Sequence, residues 1–371
     1  MRILRIITRL NIGGPAIQAV DLTRELIKRD HDCKIIFGKE SINEGRISFN
    51  VQARTLIQLN DLKREINIID DYYAFRNIRR YIKTYKPDIV HSHMSKSGFL
   101  SRLACLTIPK KDRPKMIHTF HGHVFHSYFG WFKTRLFIWI ERFLARYTDA
   151  IICISKQQKK EIVGLAIGAN KKARVTALGF VLEPFLKLIP SDMRPSLSVG
   201  IIGRLVNIKN HELFFEFVEA LRNEFYPKKI YAYVIGDGER RGELEVKYSS
   251  EFVNFTGWVK HNELPAWYKK LDIVVCSSKN EGTPVSIIEA MASGCLVVST
   301  PVGGCIDLIG KSERGIYLFD PKATADYLKY LILTGEYKDI LDEAREYIKE
   351  NYQLERLVDD IENLYKELLK Q

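Results

Sequence analysis

The sequence predicts an α/β protein made of two successive sandwiches, each a mostly parallel sheet with helices on both faces. Three observations carry this. At 371 residues the chain is too long for one ordinary core and reads as two domains. Short apolar stretches such as "CKIIFG", "TDAIICIS" and "DIVVCSS" alternate with longer amphipathic ones, as strands buried between covering helices do. The alternation breaks at "KLIPSDMRPS", which has two prolines and little apolar periodicity, and then restarts.

The opening "ILRIIT" is the first strand. Gly13-Gly14-Pro15 then starts a helix with apolar residues at Ile17, Val20, Leu22, Leu26 and Ile27. "CKIIFG" is the next strand, whereas residues 43–76 show no pattern that orders them. "IRRYIKTYKPDIVHSH", "KMIHTFHG" and "TDAIICIS" continue as helix or short β segments in alternation. Beyond the linker come the strand "LSVGIIGRL", a helix through "HELFFEFVEALRNEF" and the strand "IYAYVIGDG". "VNFTGWV", a helix near "NELPAWYKKL", the strand "DIVVCSS", a helix inside "NEGTPVSIIEAMASG" and "GCLVVST" follow. The last stretch, from "DILDEAREYIKEN" to the end, reads as helix with a break near Asn351. The expected domains are residues 1–185 and 186–350, with 351–371 as a terminal helix. Two sandwiches of this type place a ligand in the cleft between them, contacted by strand-end loops.

Composition, at 46% hydrophobic and 27% charged, is that of an ordinary folded protein and excludes disordered and fibrous classes. No run of eighteen uncharged apolar residues is present, and "MRILRIITRLNIGG" lacks a small-residue cleavage pattern. The six cysteines are scattered without metal-ligand spacing and read as core residues of a reducing compartment, so the expected location is the cytoplasm. Residues 1–180 carry 33 Lys and Arg against 15 Asp and Glu, and residues 181–371 carry 24 against 30. Either the first half faces an anionic surface or it is simply a basic, soluble half. Nucleic acid has only that charge in its favour, since no zinc-finger, RRM or obvious helix-turn-helix pattern occurs.

The chemistry concentrates in "NEGTPVSIIEAMASGCLVVSTPVGG", residues 280–304. Thr283 is placed to cap a helix with Pro284 at its first position, and Gly294 to end it. The amides of Val285 and Ser286 would then point at a ligand and form a diphosphate seat. Glu281 lies just outside that start and Glu289 about one and a half turns in. Either both face one cleft, with sugar or ribose hydroxyls satisfying a buried Glu289, or one is a capping-region acid and the other faces solvent. In "VGIIGRLVNIKNHE", Arg204 follows a strand and a glycine, and Lys209 comes five residues later. Two cations there suit phosphate oxygens, although surface solvation explains them equally well.

"IHTFHGHVFHSYF" holds His118, His121, His123 and His126, but no Asp, Glu or Cys nearby completes a metal shell. His121, before Gly122 at a strand end, is the best donor to a sugar oxygen. Gly13-Gly14 is suited to bring backbone amides close to a ligand, yet it does not form a G-x-G-x-x-G dinucleotide motif. "DHD", residues 30–32, sits at a helix exit and is assigned to a turn, not to a metal.

Taken in order, "GGPAIQAV", "GRLVNIKN", "VIGDGERR", "VNFTGWV" and "DIVVCSSKNEGTPVSIIEAMASGCLVVSTPVGG" resemble the retaining glycosyltransferases of family 4, over nearly the whole chain. The resemblance implies the GT-B fold: two Rossmann-like domains facing across a cleft, the first on the acceptor side, the second binding the nucleotide-sugar, and a terminal helix crossing back. It implies that Arg204 and Lys209 hold the donor diphosphate, Glu281 the transferred sugar and Glu289 the ribose. Val259, in the loop 257–259, would lie beside the base, and His121 near O6 of the sugar. Gly13 and Gly14 would border the diphosphate, and Gly282, Thr283, Pro284, Val285 and Ser286 would line the helix start. No metal is implied, and the co-substrate is a nucleotide-sugar, with UDP the commoner base among relatives and GDP open.

The expected reaction retains anomeric configuration by front-face attack, without a carboxylate nucleophile of the glycosidase kind. In "HVFHSYFGWFKTRLFIWIERFLARYTD", aromatics including Trp131 and Trp139 mix with Lys133, Arg135, Arg142 and Arg146. The stretch is either an interfacial helix touching an anionic membrane or a packed helix with its charges outside. With the basic first half, it favours a peripheral protein on the inner face of the cell membrane. The acceptor expected is a polyprenyl-diphosphate-linked or other glycan in cell-surface polysaccharide or O-antigen synthesis. The alternatives are a soluble sugar acceptor, or a nucleotide-sugar-binding protein without activity.

Overall fold

The computed structural model describes the chain except residues 11–13, 40–51, 122–130, 169, 190–192, 194–195 and 371, and the side chains of residues 53, 132 and 133. It divides into two compact units, Met1–Phe180 with Leu354–Gln371, and Val181–Gln353.

The first unit is built on seven parallel strands: β1 (Arg2–Arg9), β2 (Asp32–Gly38), β3 (Leu56–Leu59), β4 (Ile89–His93), β5 (Lys115–Phe120), β6 (Ala150–Cys153) and β7 (Ala173–Val175). Their order is β3-β2-β1-β4-β5-β6-β7, so the winding reverses between β1 and β4. β4 is buried at all five positions and β1 at six of eight, which is why they read as apolar runs. The helix Ile68–Tyr85 begins within the stretch that showed no order, and its first half lies there. Its buried residues, Ala74, Ile78 and Ile82, recur every four positions between charged ones. Asn67 caps it, accepting from the Ile69 and Asp70 amides.

The helix Leu354–Leu369 belongs to this first unit. It buries Leu357, Val358, Ile361, Leu364, Tyr365 and Leu368 and packs on the helix Gly14–Lys28. Arg29 pins it through Asp359 at 2.6 Å and Glu362 at 2.8 Å. The preceding helix, Tyr337–Asn351, stops where the sequence placed a break.

The second unit has six parallel strands: β8 (Leu197–Ile202), β9 (Ile230–Ile235), β10 (Val253–Gly257), β11 (Ile273–Cys276), β12 (Leu296–Ser299) and β13 (Ile316–Tyr317). Their order is β10-β9-β8-β11-β12-β13, with the reversal between β8 and β11. The core joins β-strand residues such as Leu197, Val199 and Val275 to Phe214, Phe217 and Val218 of the helix His211–Glu224. At the strand ends, Gly236 has φ 136, and a Cβ there would lie 2.0 Å from the Gly203 carbonyl oxygen. Only glycine lets the turns after β8 and β9 approach so closely. All six cysteines are buried, and none is in a disulfide. Among the described residues no helix is long and apolar enough to cross a membrane.

Candidate active site

In open α/β sheets a ligand binds beyond the carboxyl ends of the strands where the winding reverses. In the second unit that point is flanked by the loops after β8 and β11, and these carry the cations and the first acid singled out above. Lys209 Nζ lies 2.5 Å from Glu281 Oε1, joining the two loops across the switch point. Ser278 Oγ donates to the same oxygen at 2.6 Å, and Ser277 Oγ donates to the Lys209 carbonyl at 2.9 Å. The Lys279 amide donates to the Ile208 carbonyl at 2.8 Å. Burial works against the Lys209 ammonium, but Glu281 outweighs it and holds its pKa above the ordinary lysine value. Lys209 is therefore a fixed, charged group with N–H bonds to spare for an anion. Arg204 is exposed on the same loop, with no ion pair among the described residues.

The loop after β11 runs into the helix Val285–Ser293. Here the structure corrects the expected cap. Pro284, with φ −74 and ψ 115, is the N-cap, and no side chain caps the helix. Thr283 is turned towards the next loop instead, where a Cβ on Gly304 would meet its Oγ1 at 2.8 Å, and that hydroxyl is buried without a partner among the described residues. The extended ψ of the proline moves the helix start one residue along, so the amides of Val285 and Ser286 begin an uncapped helix. Gly294 ends the helix in the left-handed conformation, φ 77. Gly282 accepts from the Gly304 amide at 2.7 Å, which ties the loops after β11 and β12 together.

Glu289 is 3% exposed and has protein partners on both oxygens. His261 Nε2 lies 2.8 Å from Oε1, and Tyr268 OH donates to Oε2 at 2.9 Å. Burial, and then the Glu289 charge, push the Tyr268 phenol well up, so it remains a donor. The acid therefore does not face solvent. Two of its roughly four lone-pair sites are used, which leaves acceptor capacity for hydroxyls. His261 and Tyr268 were missed in the sequence because they follow β10 in chain order and meet Glu289 only after folding. Val259 lies half-buried between β10 and His261, just after Gly257, whose φ is 73.

In the first unit His121 stands directly after β5, with Nε2 2.8 Å from His93 Nδ1. Burial, and then Arg5, lower its pKa to about 3, so its imidazole is neutral. Its Nδ1 is buried and has no partner among the described residues. His118 points elsewhere, with Nδ1 3.0 Å from Ser92 Oγ. Gly14 is the first residue of the helix after β1. Gly13, His123 and His126 lie outside the described residues. Asp30, in "DHD", takes a left-handed turn with φ 61, as a helix exit requires. The first-unit site residues that sequence reading missed are Arg5, His91, His93 and Tyr365, which come from three distant stretches of chain.

Residues 12–182 match the family model described as Glycosyltransferase Family 4, and residues 196–334 the model described as Glycosyl transferases group 1. An Escherichia coli protein named UDP-Gal:alpha-D-GlcNAc-diphosphoundecaprenol alpha-1,3-galactosyltransferase is 27% identical over 82% of this chain and 81% of its own. The Staphylococcus aureus capsular polysaccharide biosynthesis glycosyltransferase CapM is 24% identical over 84% of each. Among solved structures, sucrose-phosphate synthase from Thermosynechococcus elongatus superposes with TM-score 0.81 at 18% identity, over all of both chains. Anabaena Alr3699/HepE in complex with UDP superposes with TM-score 0.74 at 15% identity, covering 99% of this chain and 100% of that one. With two reversing parallel sheets in the matching order, the chain belongs to glycosyltransferase family 4 and is a nucleotide-sugar-dependent glycosyltransferase of the GT-B fold.

Proposed function

We propose that the protein moves a hexose or N-acetylhexosamine from a UDP-sugar to a lipid-linked glycan acceptor in cell-surface polysaccharide synthesis. The Lys209–Glu281 pair across the switch point carries this reading. Lys209, Arg204 and the uncapped amides of Val285 and Ser286 suit a departing diphosphate. Glu281, fixed by Lys209 and Ser278, offers its remaining lone pairs to hydroxyls of the transferred sugar, and Glu289 to the ribose. Gly13 and Gly14 border the diphosphate, Gly282, Thr283 and Pro284 line the helix start, Val259 meets the base, and His121 Nδ1 donates to a sugar oxygen. Both carboxylates are held by protein donors, so neither is set up as a nucleophile, and the reaction retains configuration by front-face attack without a metal. The names of the Escherichia coli and Staphylococcus aureus relatives support the acceptor class and the setting.

Thermal unfolding with UDP-, GDP- and other nucleotide-sugars, without added metal, tests the donor assignment. Binding to the folded chain raises the transition by linkage. A UDP-sugar is expected to protect best, and protection by GDP-sugars alone contradicts the choice of base.

The lipid-linked acceptor places the protein on the inner face of the membrane. The helix Trp131–Tyr147 supports this, with Trp131 71% exposed and Trp139 65% exposed. Phe143 and Tyr147 continue the row at four-residue spacing, and Arg135 stacks on Trp131 at 4.8 Å. Such a stripe suits the headgroup boundary of an anionic bilayer. Co-sedimentation with anionic vesicles is expected to fall several-fold in a W139A/F143A variant. Equal sedimentation of the variant and the wild type would contradict the membrane contact.

A further inference from the structure

Arg5, in the middle of β1, is fully buried and has no carboxylate partner among the described residues. Its guanidinium contacts two neutral groups instead, His93 Nε2 at 3.4 Å from Nη1 and the Tyr365 hydroxyl at 3.0 Å from Nη2. A guanidinium has donors only, so each contact fixes where a proton cannot be. His93 Nε2 must accept, and a neutral His93 therefore carries its proton on Nδ1. That Nδ1 donates over 2.8 Å to His121 Nε2. His121 Nε2 must accept in turn, and its own proton is left on Nδ1, the buried nitrogen without a partner among the described residues.

The second arm of Arg5 holds the arrangement still. The Tyr365 oxygen accepts from Arg5, so its proton turns to His91 Nδ1 at 2.6 Å. The His91 Nε2–H then goes to Thr119 Oγ1 at 2.6 Å. The His91 ring stacks on His93 with centroids 4.3 Å apart, which fixes the plane in which His93 meets His121. Burial keeps His91 and His93 neutral by pushing their pKa values well down.

We infer that His93, held by Arg5, is a positioning residue that locks His121 in the tautomer with its proton on Nδ1. His121 thereby presents one N–H donor, in one orientation, to an oxygen of the sugar donor. This rests on the transferase reading above and adds to it the residues that set the donor. The ordering of a single proton along β1, β4 and β5 accounts for why a cation sits in this core without an anion, an arrangement that otherwise only costs stability.

The test uses the full chain with ¹⁵N-labelled histidine. The wild type is expected to show neutral His121 protonated at Nδ1, assigned by its loss in H121A. In H93L that resonance is expected to redistribute between the two ring nitrogens, with kcat/KM for the nucleotide-sugar falling about 10- to 100-fold. H93N, whose side-chain amide can still donate to His121 Nε2, is expected to restore both most of the way. A wild-type spectrum with the His121 proton on Nε2 overturns the inference, as does an H93L protein that keeps both the Nδ1–H form and its kcat/KM. The wild-type spectrum decides the matter even if H93L fails to fold. If the wild type transfers no sugar from any donor, the transferase reading fails, and the tautomer is still read directly.

Discussion

At the end of β8 and β11 the cation Lys209 has its anion, Glu281, 2.5 Å away, while in the first unit Arg5 is buried against two neutral partners. The Lys209–Glu281 pair is partly accessible, and each member keeps spare hydrogen-bonding capacity, so a ligand can join it with little rearrangement. The Arg5 cluster has its protons fixed in advance, and among the described residues its buried donors without a partner are Arg5 Nε and His121 Nδ1. In the proposed reading the second unit offers charge to the sugar donor and the first offers direction. The Arg102–Glu141 pair shows that the first unit can neutralise a buried cation in the ordinary way, with both carboxylate oxygens 2.8 Å from Nη2.

The contrast can be broken most severely at Lys209. K209A removes the fixed ammonium and leaves Glu281 facing Ser278 alone, so kcat is expected to fall about 100- to 1000-fold. Steady-state kinetics checks this, with ¹⁵N-histidine spectra of the first unit unchanged. Near-wild-type turnover would remove Lys209 from the site.

The smaller expected effect is on acid stability, and it sharpens the comparison. His91, His93, His118 and His121 all titrate below the ordinary 6.5 in the folded chain, His121 at about 3, chiefly because burial disfavours the charged ring. The unfolded chain therefore binds the extra protons, and their contribution is complete above pH 6.5 and is lost as pH falls from there towards 3. In the second unit His211 is shifted to about 4, by burial and then Arg240. Glu212, held at about 2 by its hydrogen bond from Arg240, gives way only below 4.5. Between pH 7 and 5, hydrogen-exchange protection relative to the intrinsic amide rate at each pH is expected to fall in β1, β4 and β5 before β8, β9 and β11. The reverse order would contradict the assignment of neutral, buried imidazoles to the first unit.

Legibility in the sequence follows the same division. Arg204, Lys209, Glu281 and Glu289 lie in two short stretches whose glycines, proline and flanking strands announce a strand-end loop and a helix start, so residue type and spacing sufficed to select them. The partners that define their state were not legible. His261 and Tyr268 reach Glu289 through folding of the loop after β10, and Ser278 looked like any strand-end serine. The expected threonine cap failed because proline at that position took an extended ψ of 115, which spacing does not reveal. In the first unit Gly13-Gly14 and His121 stood out, and of the Arg5 cluster only His121. Arg5 reads as an interruption in an apolar strand, and His91 and His93 as polar residues at a strand end. Tyr365 comes from a terminal helix whose attachment to the first unit follows from packing on the helix Gly14–Lys28. Parallel pairing of Arg5 with His91 and of His93 with Thr119 creates the cluster, and such register is a property of the sheet.

The most direct test of the account is transfer of a labelled sugar from UDP-hexoses and UDP-N-acetylhexosamines to a polyprenyl-diphosphate-linked N-acetylglucosamine, beside a free sugar acceptor. Metal-independent transfer to the lipid-linked acceptor is expected, with the anomeric configuration of the donor kept in the product. Transfer to the free sugar alone, or donor binding without transfer to either acceptor, would contradict it.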